Sequence, residues 1–240
     1  LTRLSLKEGA GPAEVVVPEG EGVMQGVAAA ADALYLNVFE GAASRVVRVP
    51  YGGGKPEPLP SPFPGTIRTM LGQPGDPGVV FYLRGWAQLA RTFGVDPAAR
   101  RPLELGLEPK PSIDTSSLTV SFLTATSKDG TAVPLTVVHR SDVPRDGARP
   151  AWLDVYGAYG ASNLPIFWPG RMAWLERGAV FAVCHARGGG ERGDAWHAAA
   201  WRRPVSGASP GPAASSRPTP APTRRWRARA GATGRRRGRA

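Results

Sequence analysis

The chain has a single cysteine, Cys184, so no internal disulfide can form; this is the usage expected of a reducing compartment. It contains no run of about 18 apolar residues, so no membrane-crossing helix is expected. No basic stretch followed by an apolar segment opens it, so no secretory leader is visible. The cytoplasm is therefore the expected location, with the periplasm as the alternative. Acidic residues and lysine are both missing from residue 198 onward, although that stretch holds eleven arginines. Of the 30 Lys and Arg residues, the other 19 lie before it, together with all 19 Asp and Glu. The net charge of +11 thus belongs wholly to the last 43 residues. The body is electrically neutral, which argues against a nucleic-acid-binding core.

What is present begins as β-structure. Gly (31) and Pro (25) are frequent enough for many turns between short strands. Leu34, Leu36 and Val38 alternate along Ala33 to Phe39, a half-buried strand pattern. Glu40-Gly41 marks a turn, Ser44 to Val49 a returning strand, and Val79 to Leu83 another strand entered through Gln73 to Gly78. A weak repeat links Thr2 to Leu6, Ser44 to Val49 and Ala90 to Val95, with spacings of 43 and 46 residues. That period fits four-stranded propeller blades, and evenly spaced hairpins of a β-sandwich fit it as well. Only two full periods are present, so the expectation is the end of a β-propeller over residues 1–112.

The pattern changes after a linker from Glu108 to Ser117. Leu118 to Thr126 and Ala132 to Arg140 flank Lys128-Asp129-Gly130, a hairpin signal. Trp152 to Val155 reads as a strand and Ile166 to Arg177 as a helix with Gly178 as its C-cap. Ala179 to Cys184 reads as a buried strand. Strand, helix, strand in that order indicates a βαβ unit, and so an incomplete α/β domain over residues 113–197. Residues 198–240 hold one Val and two Trp but no Leu, Ile, Phe, Tyr or Met, too little apolar surface to offset ordering entropy. A disordered tail is expected there. A frameshift in a GC-rich gene would produce such a composition; a polyanion-binding arm with Trp201 and Trp226 as stacking platforms and a plain linker are the alternatives.

Two loops carry candidate chemistry. Tyr156-Gly157-Ala158-Tyr159-Gly160-Ala161-Ser162 follows a buried strand, where small residues let the backbone turn and place two rings beside a cleft. An early strand-to-helix loop of this kind supplies part of the oxyanion hole in α/β-hydrolases; a glycine-rich turn with two packing aromatics explains the same letters. Arg187-Gly188-Gly189-Gly190-Glu191-Arg192-Gly193-Asp194-Ala195-Trp196-His197 follows the next strand. Three glycines there allow close backbone approach at the ligand-binding edge of a sheet. No Gly-Lys-Ser/Thr follows, so a nucleotide loop is not indicated. Arg187 and Glu191 are expected to pair with each other or with neighbouring loops. His139, His185 and Cys184 sit within strands and read as core residues.

Together these motifs resemble the prolyl oligopeptidase family of serine peptidases, in the branch that includes oligopeptidase B. The resemblance runs from Leu1 to His197. It is diffuse at first and clear through Ser127 to Thr131 with Pro134. It is most specific in Tyr156 to Ser162 and in Arg187 to Glu191 with Gly193, Trp196 and His197, joined by Leu175-Glu176-Arg177-Gly178-Ala179-Val180. It implies an α/β-hydrolase domain capped by a propeller, hydrolysis of short peptides by acyl transfer, and no metal or cofactor. Tyr156 matches the oxyanion tyrosine and Tyr159 an aromatic near the pocket for the residue before the cut bond. Arg187, Gly188, Gly189, Gly190, Glu191, Trp196 and His197 match a structural motif, with His197 at a helix start. The sequence departs from the family after His197. No Gly-Gly-Ser-x-Gly-Gly elbow appears, Ser206, Ser209, Ser215 and Ser216 lie in Pro- and Ala-rich sequence, and no acid or histidine follows. The Ser, Asp, His order therefore cannot be filled, and the chain by itself is expected to be inactive.

Overall fold

A computed structural model describes residues 1–3, 13–20, 22–144 and 146–200. Two short strands, β1 (Thr2–Arg3) and β2 (Glu14–Val15), pair antiparallel. Two four-stranded antiparallel meanders follow. The first runs β3 (Val23–Ala29), β4 (Ala33–Glu40), β5 (Ala43–Pro50) and β6 (Glu57–Pro58). The second runs β7 (Gly65–Gly72), β8 (Val79–Gly85), β9 (Arg91–Asp96) and β10 (Arg101–Glu104). The repeat period is explained in part, since β5 and β9 are each the third strand of their sheet; Leu4 to Leu6 lie outside the described residues.

The β4 alternation works as its spacing demands. Leu34, Leu36 and Val38 pack with Val47, Val49, Val16 and Val17 on one side. Ala33 and Tyr35 face the other way and share a core with Ile67, Phe81, Leu83, Phe93 and Val95 of the second sheet. Both faces of β4 are covered, which is why its pattern is nearly continuous burial. The two sheets are also pinned by polar groups. The β7 ladder slips between Ile67 and Thr69, just after Ile67 pairs with Leu83 of β8. Ser44 Oγ accepts the Ile67 N–H at 3.2 Å and Asn37 donates to the Ile67 carbonyl at 3.1 Å, so the buried backbone beside the bulge is satisfied from the other sheet.

The third sheet contains β11 (Leu118–Thr126), β12 (Ala132–Arg140), β13 (Ala151–Tyr156) and β14 (Val180–His185), in the spatial order β11-β12-β14-β13. β11 and β12 form the expected hairpin, their ends closed by Ser127 N–H to Thr131 O and Gly130 N–H to Ser127 O. β13 and β14 are parallel neighbours, so the βαβ unit is present. The connection is less helical than its sequence predicts. Only a 3-10 turn (Pro169–Arg171) and one turn of helix, α1 (Met172–Leu175), form within Ile166 to Arg177. Trp168 precedes Pro169 and is extended at φ −118°, ψ 116°, as a residue before proline must tend to be. Gly178 then ends the turn, donating to the Leu175 carbonyl with φ +73°.

Helix α2 (Gly193–Ala198) closes the described chain, with Ala199 and Ala200 donating to Ala195 and His197. Residues 198–200 therefore continue or cap a helix, against the disorder expected from residue 198, and the rest of that stretch, 201–240, lies outside the described residues. None of the described helices is long and apolar enough to cross a membrane.

Candidate active site

The two glycine-rich loops leave the same edge of the third sheet from adjacent parallel strands. Tyr156 ends β13 and is in register with His185, which ends β14. Parallel strands deliver their C-terminal loops to one side, the side on which α/β sheets bind ligands. The 24 residues between the motifs, 163–186, hold the crossover and β14, so a separation in sequence becomes contact in space.

The contact is backbone to backbone. Gly160 N–H donates to Gly188 O at 3.0 Å. A Cβ on Gly188 would lie 2.1 Å from the Gly157 carbonyl oxygen, and φ there is +98°. A Cβ on Gly190 would lie 2.2 Å from the Gly160 carbonyl oxygen. The glycines therefore serve to let two loops touch, with no phosphate cradle required.

Helix α2 seals the second loop from below. Gly188 N–H donates to Trp196 O, Trp196 Nε1 to Ala186 O, and His197 Nδ1 to Gly188 O at 2.8 Å. His197 is in the last turn of α2, which corrects its expected place at a helix start.

The loop displays its tyrosines to solvent. Tyr156 is 42% exposed and Tyr159 is 88% exposed. Tyr159 is held at φ +56°, a left-handed conformation rare for an aromatic residue, and such strain clusters where a side chain must be aimed. Ile166, Trp168, Trp152 and Val155 are also each more than a third exposed.

Arg187 and Glu191 do not pair with each other; each joins a neighbouring loop. Arg187 reaches the β11–β12 hairpin, pairing with Asp129 at 2.5 Å and donating to Ser127 Oγ and Thr131 Oγ1 at 3.3 Å. The guanidinium, with the Thr131 N–H, holds the Asp129 carboxyl far below the usual carboxylate range. This gives Lys128-Asp129-Gly130 a second task beyond making the turn. Glu191 is fully buried, with Oε1 accepting the Asn163 N–H at 2.9 Å and lying 3.5 Å from His185 Nδ1. His185 is 0% exposed, and its Nε2 lies 2.9 Å from Thr136 Oγ1.

The remaining candidates are committed elsewhere. His139 is buried, its Nδ1 bonded to Arg140 O. Burial pushes the Cys184 thiol up, with the nearby Glu191 charge adding to the effect, which lowers its fraction of reactive thiolate. Sequence reasoning placed His185 in the core and Glu191 on the loop but missed that they face each other. A buried acid inside a glycine run was the available signal, since a carboxylate goes there only with partners.

No family model matches the chain. Uncharacterized peptidase y4sO of Sinorhizobium fredii is 49% identical over 84 residues, 32% of this chain and 12% of the relative. Dipeptidyl aminopeptidase BI of Pseudoxanthomonas mexicana is 38% identical over 109 residues, 45% of this chain and 15% of the relative. The prolyl endopeptidase-like protein of Homo sapiens is 44% identical over 84 residues, 35% of this chain and 12% of its own. Among solved structures, a prolyl endopeptidase superposes with TM-score 0.69 at 31% identity, covering 82% of this chain and 29% of its own. Prolyl oligopeptidase B of Galerina marginata, at TM-score 0.73 and 22% identity, covers 82% of this chain and 28% of its own and speaks to the fold alone. The chain thus spans between 12% and 29% of these proteins' lengths.

Proposed function

Proceeding from a chain related to peptidases of the prolyl oligopeptidase type, we propose that it carries the oxyanion-stabilising loop of a serine oligopeptidase. In this reading the two meanders are blades of a propeller that restricts entry to short peptides. The third sheet is the opening part of an α/β-hydrolase domain. A serine hydroxyl attacks the scissile carbonyl, and the Tyr156 hydroxyl donates to the oxygen that becomes negative. Tyr159 lines the pocket for the residue before the cut bond. One donor of this kind is worth roughly 3 kcal/mol of barrier.

The observation that carries the reading is the zip between the Tyr156 and Arg187 loops. It fixes the loop backbone at the C-terminal edge of two parallel strands while leaving Tyr156 open to solvent. The nucleophile, acid and histidine of such a site have no counterparts in the required order in this sequence, so the chain alone should not turn over peptide.

The test is a fluorogenic peptide assay on the chain alone and after co-expression with a segment bearing a Gly-Gly-Ser-x-Gly-Gly elbow, an acid and a histidine. Activity should appear only in the pair. There, Tyr156→Phe should lower kcat about a hundredfold with little change in KM. Turnover by the chain alone, abolished by a serine-directed phosphonate, contradicts the reading.

The charge distribution favours a second, non-enzymatic reading for the end of the chain. Eleven arginines without an acid after residue 197 form a polyanion-binding arm. Retention of a nucleic acid in a gel shift should then fall steeply as salt rises. Binding that is indifferent to salt removes the electrostatic arm.

A further inference from the structure

We infer that Glu191 is a positioning residue, a buried bolt that holds the tyrosine loop against the sheet through the amide of Asn163. The inference rests on the oxyanion reading for its purpose, but its observations are geometric. Among the described residues Glu191 is the one acid among the buried polar and charged side chains, at 1% exposure. A carboxylate is retained in such a place only where partners compensate its lost hydration.

Glu191 has one hydrogen-bond partner and one close polar neighbour, on different elements. Its Oε1 accepts the Asn163 N–H at 2.9 Å, across 28 residues of sequence. The same oxygen lies 3.5 Å from His185 Nδ1 at the end of β14. His185 is itself braced, with Thr136 Oγ1 2.9 Å from its Nε2 and the Trp86 ring centred 6.5 Å away. Room for the carboxylate depends on its neighbour, since a Cβ on Gly189 would fall 2.2 Å from Oε2.

The segment from Tyr156 to Asn163 is thereby tied at three points. Tyr156 is in register with His185, Gly160 is bonded to Gly188, and Asn163 is bonded to Glu191. Tyr159 lies between the first two ties in a left-handed conformation, which persists only where its surroundings over-determine it. Releasing the last tie lets residues 157–163 relax and takes the tyrosines out of their fixed aim. On this geometry the useful property of Glu191 is an acceptor oxygen at the right reach, rather than its charge.

Hydrogen exchange by mass spectrometry on the full chain tests this without reference to peptidase activity. Glu191→Ala should speed exchange in residues 157–163 by about tenfold or more, as loss of one tie implies, while Ala33–Glu40 is unchanged. Glu191→Asp keeps the charge but falls one methylene short, and should be as loose as Glu191→Ala. Glu191→Gln keeps the oxygen and should restore parental protection. In a fluorotyrosine-labelled chain, the Tyr159 resonance, assigned through Tyr159→Phe, should move in Glu191→Ala and return in Glu191→Gln.

Unchanged exchange in Glu191→Ala overturns the inference, as does a loss spread equally over Ala33–Glu40. Protection kept by Glu191→Asp and lost by Glu191→Gln also overturns it, because charge would then be what matters. Should Glu191→Ala fail to fold, Glu191→Gln decides alone: parental protection supports the bolt and a tenfold loss removes it. Absence of turnover in the co-expressed pair would sink the oxyanion reading and leave these exchange results standing.

Discussion

Asp32 shows how one side chain can join several strands. Its Oδ2 accepts from the Tyr35 hydroxyl at 2.9 Å and from Arg48 Nε at 3.0 Å, and its Oδ1 accepts the Gly78 N–H at 2.9 Å, which ties the first meander to the second. Burial alone would raise its pKa, but the three donors outweigh burial and hold it below the ordinary carboxylate value. Tyr35 is pushed up to about 12, by burial first and by Asp32 second, so it remains a donor across the working pH range. The sign follows from linkage. A carboxyl whose folded pKa is depressed contributes stability that is complete above its unfolded pKa and is lost as pH falls through the folded value. Asp32→Asn should therefore cost about 1–3 kcal/mol at neutral pH and flatten the acid limb of the stability profile. Urea unfolding at neutral pH and below about pH 4 checks both expectations. At the site, Gly188→Ala should cost roughly 2–5 kcal/mol, because the added carbon meets the Gly157 carbonyl and the positive φ adds strain. The same urea titration reads it, and an unchanged midpoint would mean that the two loops do not touch as described.

At the scale of elements, the turn between β8 and β9 is more than a connector. Trp86, 4% exposed, leaves the second meander and packs on the third sheet, its ring centroid 6.2 Å from Phe181 of β14. Arg171 covers Phe181 at 4.0 Å and Trp86 at 5.7 Å. Val138, Leu175 and Val183 complete this cluster. Trp86→Ala should therefore cost about 3–5 kcal/mol, and a double-mutant cycle with Phe181→Ala should show coupling of about 0.5–1.5 kcal/mol.

No local pattern announces such a plug, because an isolated Trp between Gly85 and Ala87 reads as turn. The elements that were legible carry their information locally. β11 and β12 follow from apolar runs around Asp129-Gly130, and β4 from strict alternation. β3, β7 and β10 were not legible: Gly26 and a bulge interrupt β3, a bulge interrupts β7, and Pro102 lies inside the short edge strand β10. The helix that apolar spacing predicts over Ile166 to Arg177 is cut short because Pro169 holds Trp168 extended. At the candidate site the identities of Tyr156, Tyr159, Arg187 and Glu191 were legible. The partners of Arg187 and Glu191 were not, since Asp129 and Asn163 reach them only through the hairpin and the crossover.

For the molecule as a whole, the decisive feature is an edge strand of high apolar content. β13 is at the end of the third sheet, bonded among the described residues only to β14. Trp152, Leu153 and Val155 are 45%, 51% and 39% exposed, which corrects the burial expected of this strand from its sequence. An edge of this kind presents free backbone donors and acceptors beside apolar side chains, the combination that templates pairing between chains. Long-range repulsion from the body is absent, since its charges balance and the whole excess of +11 lies after residue 197. Self-association at micromolar concentration is therefore expected, and it should strengthen with salt as the arginine-borne charge is screened. Leu153→Lys places a charge on the edge itself and should lower light scattering at every salt concentration. Leu107→Lys makes the same chemical change at a residue 69% exposed but outside any strand, and it should leave scattering close to the parent. Equal solubilisation by both variants would assign the association to net charge and remove β13 as its cause. Suppression by Leu153→Lys alone would mark the edge as the surface that another segment of polypeptide must cover.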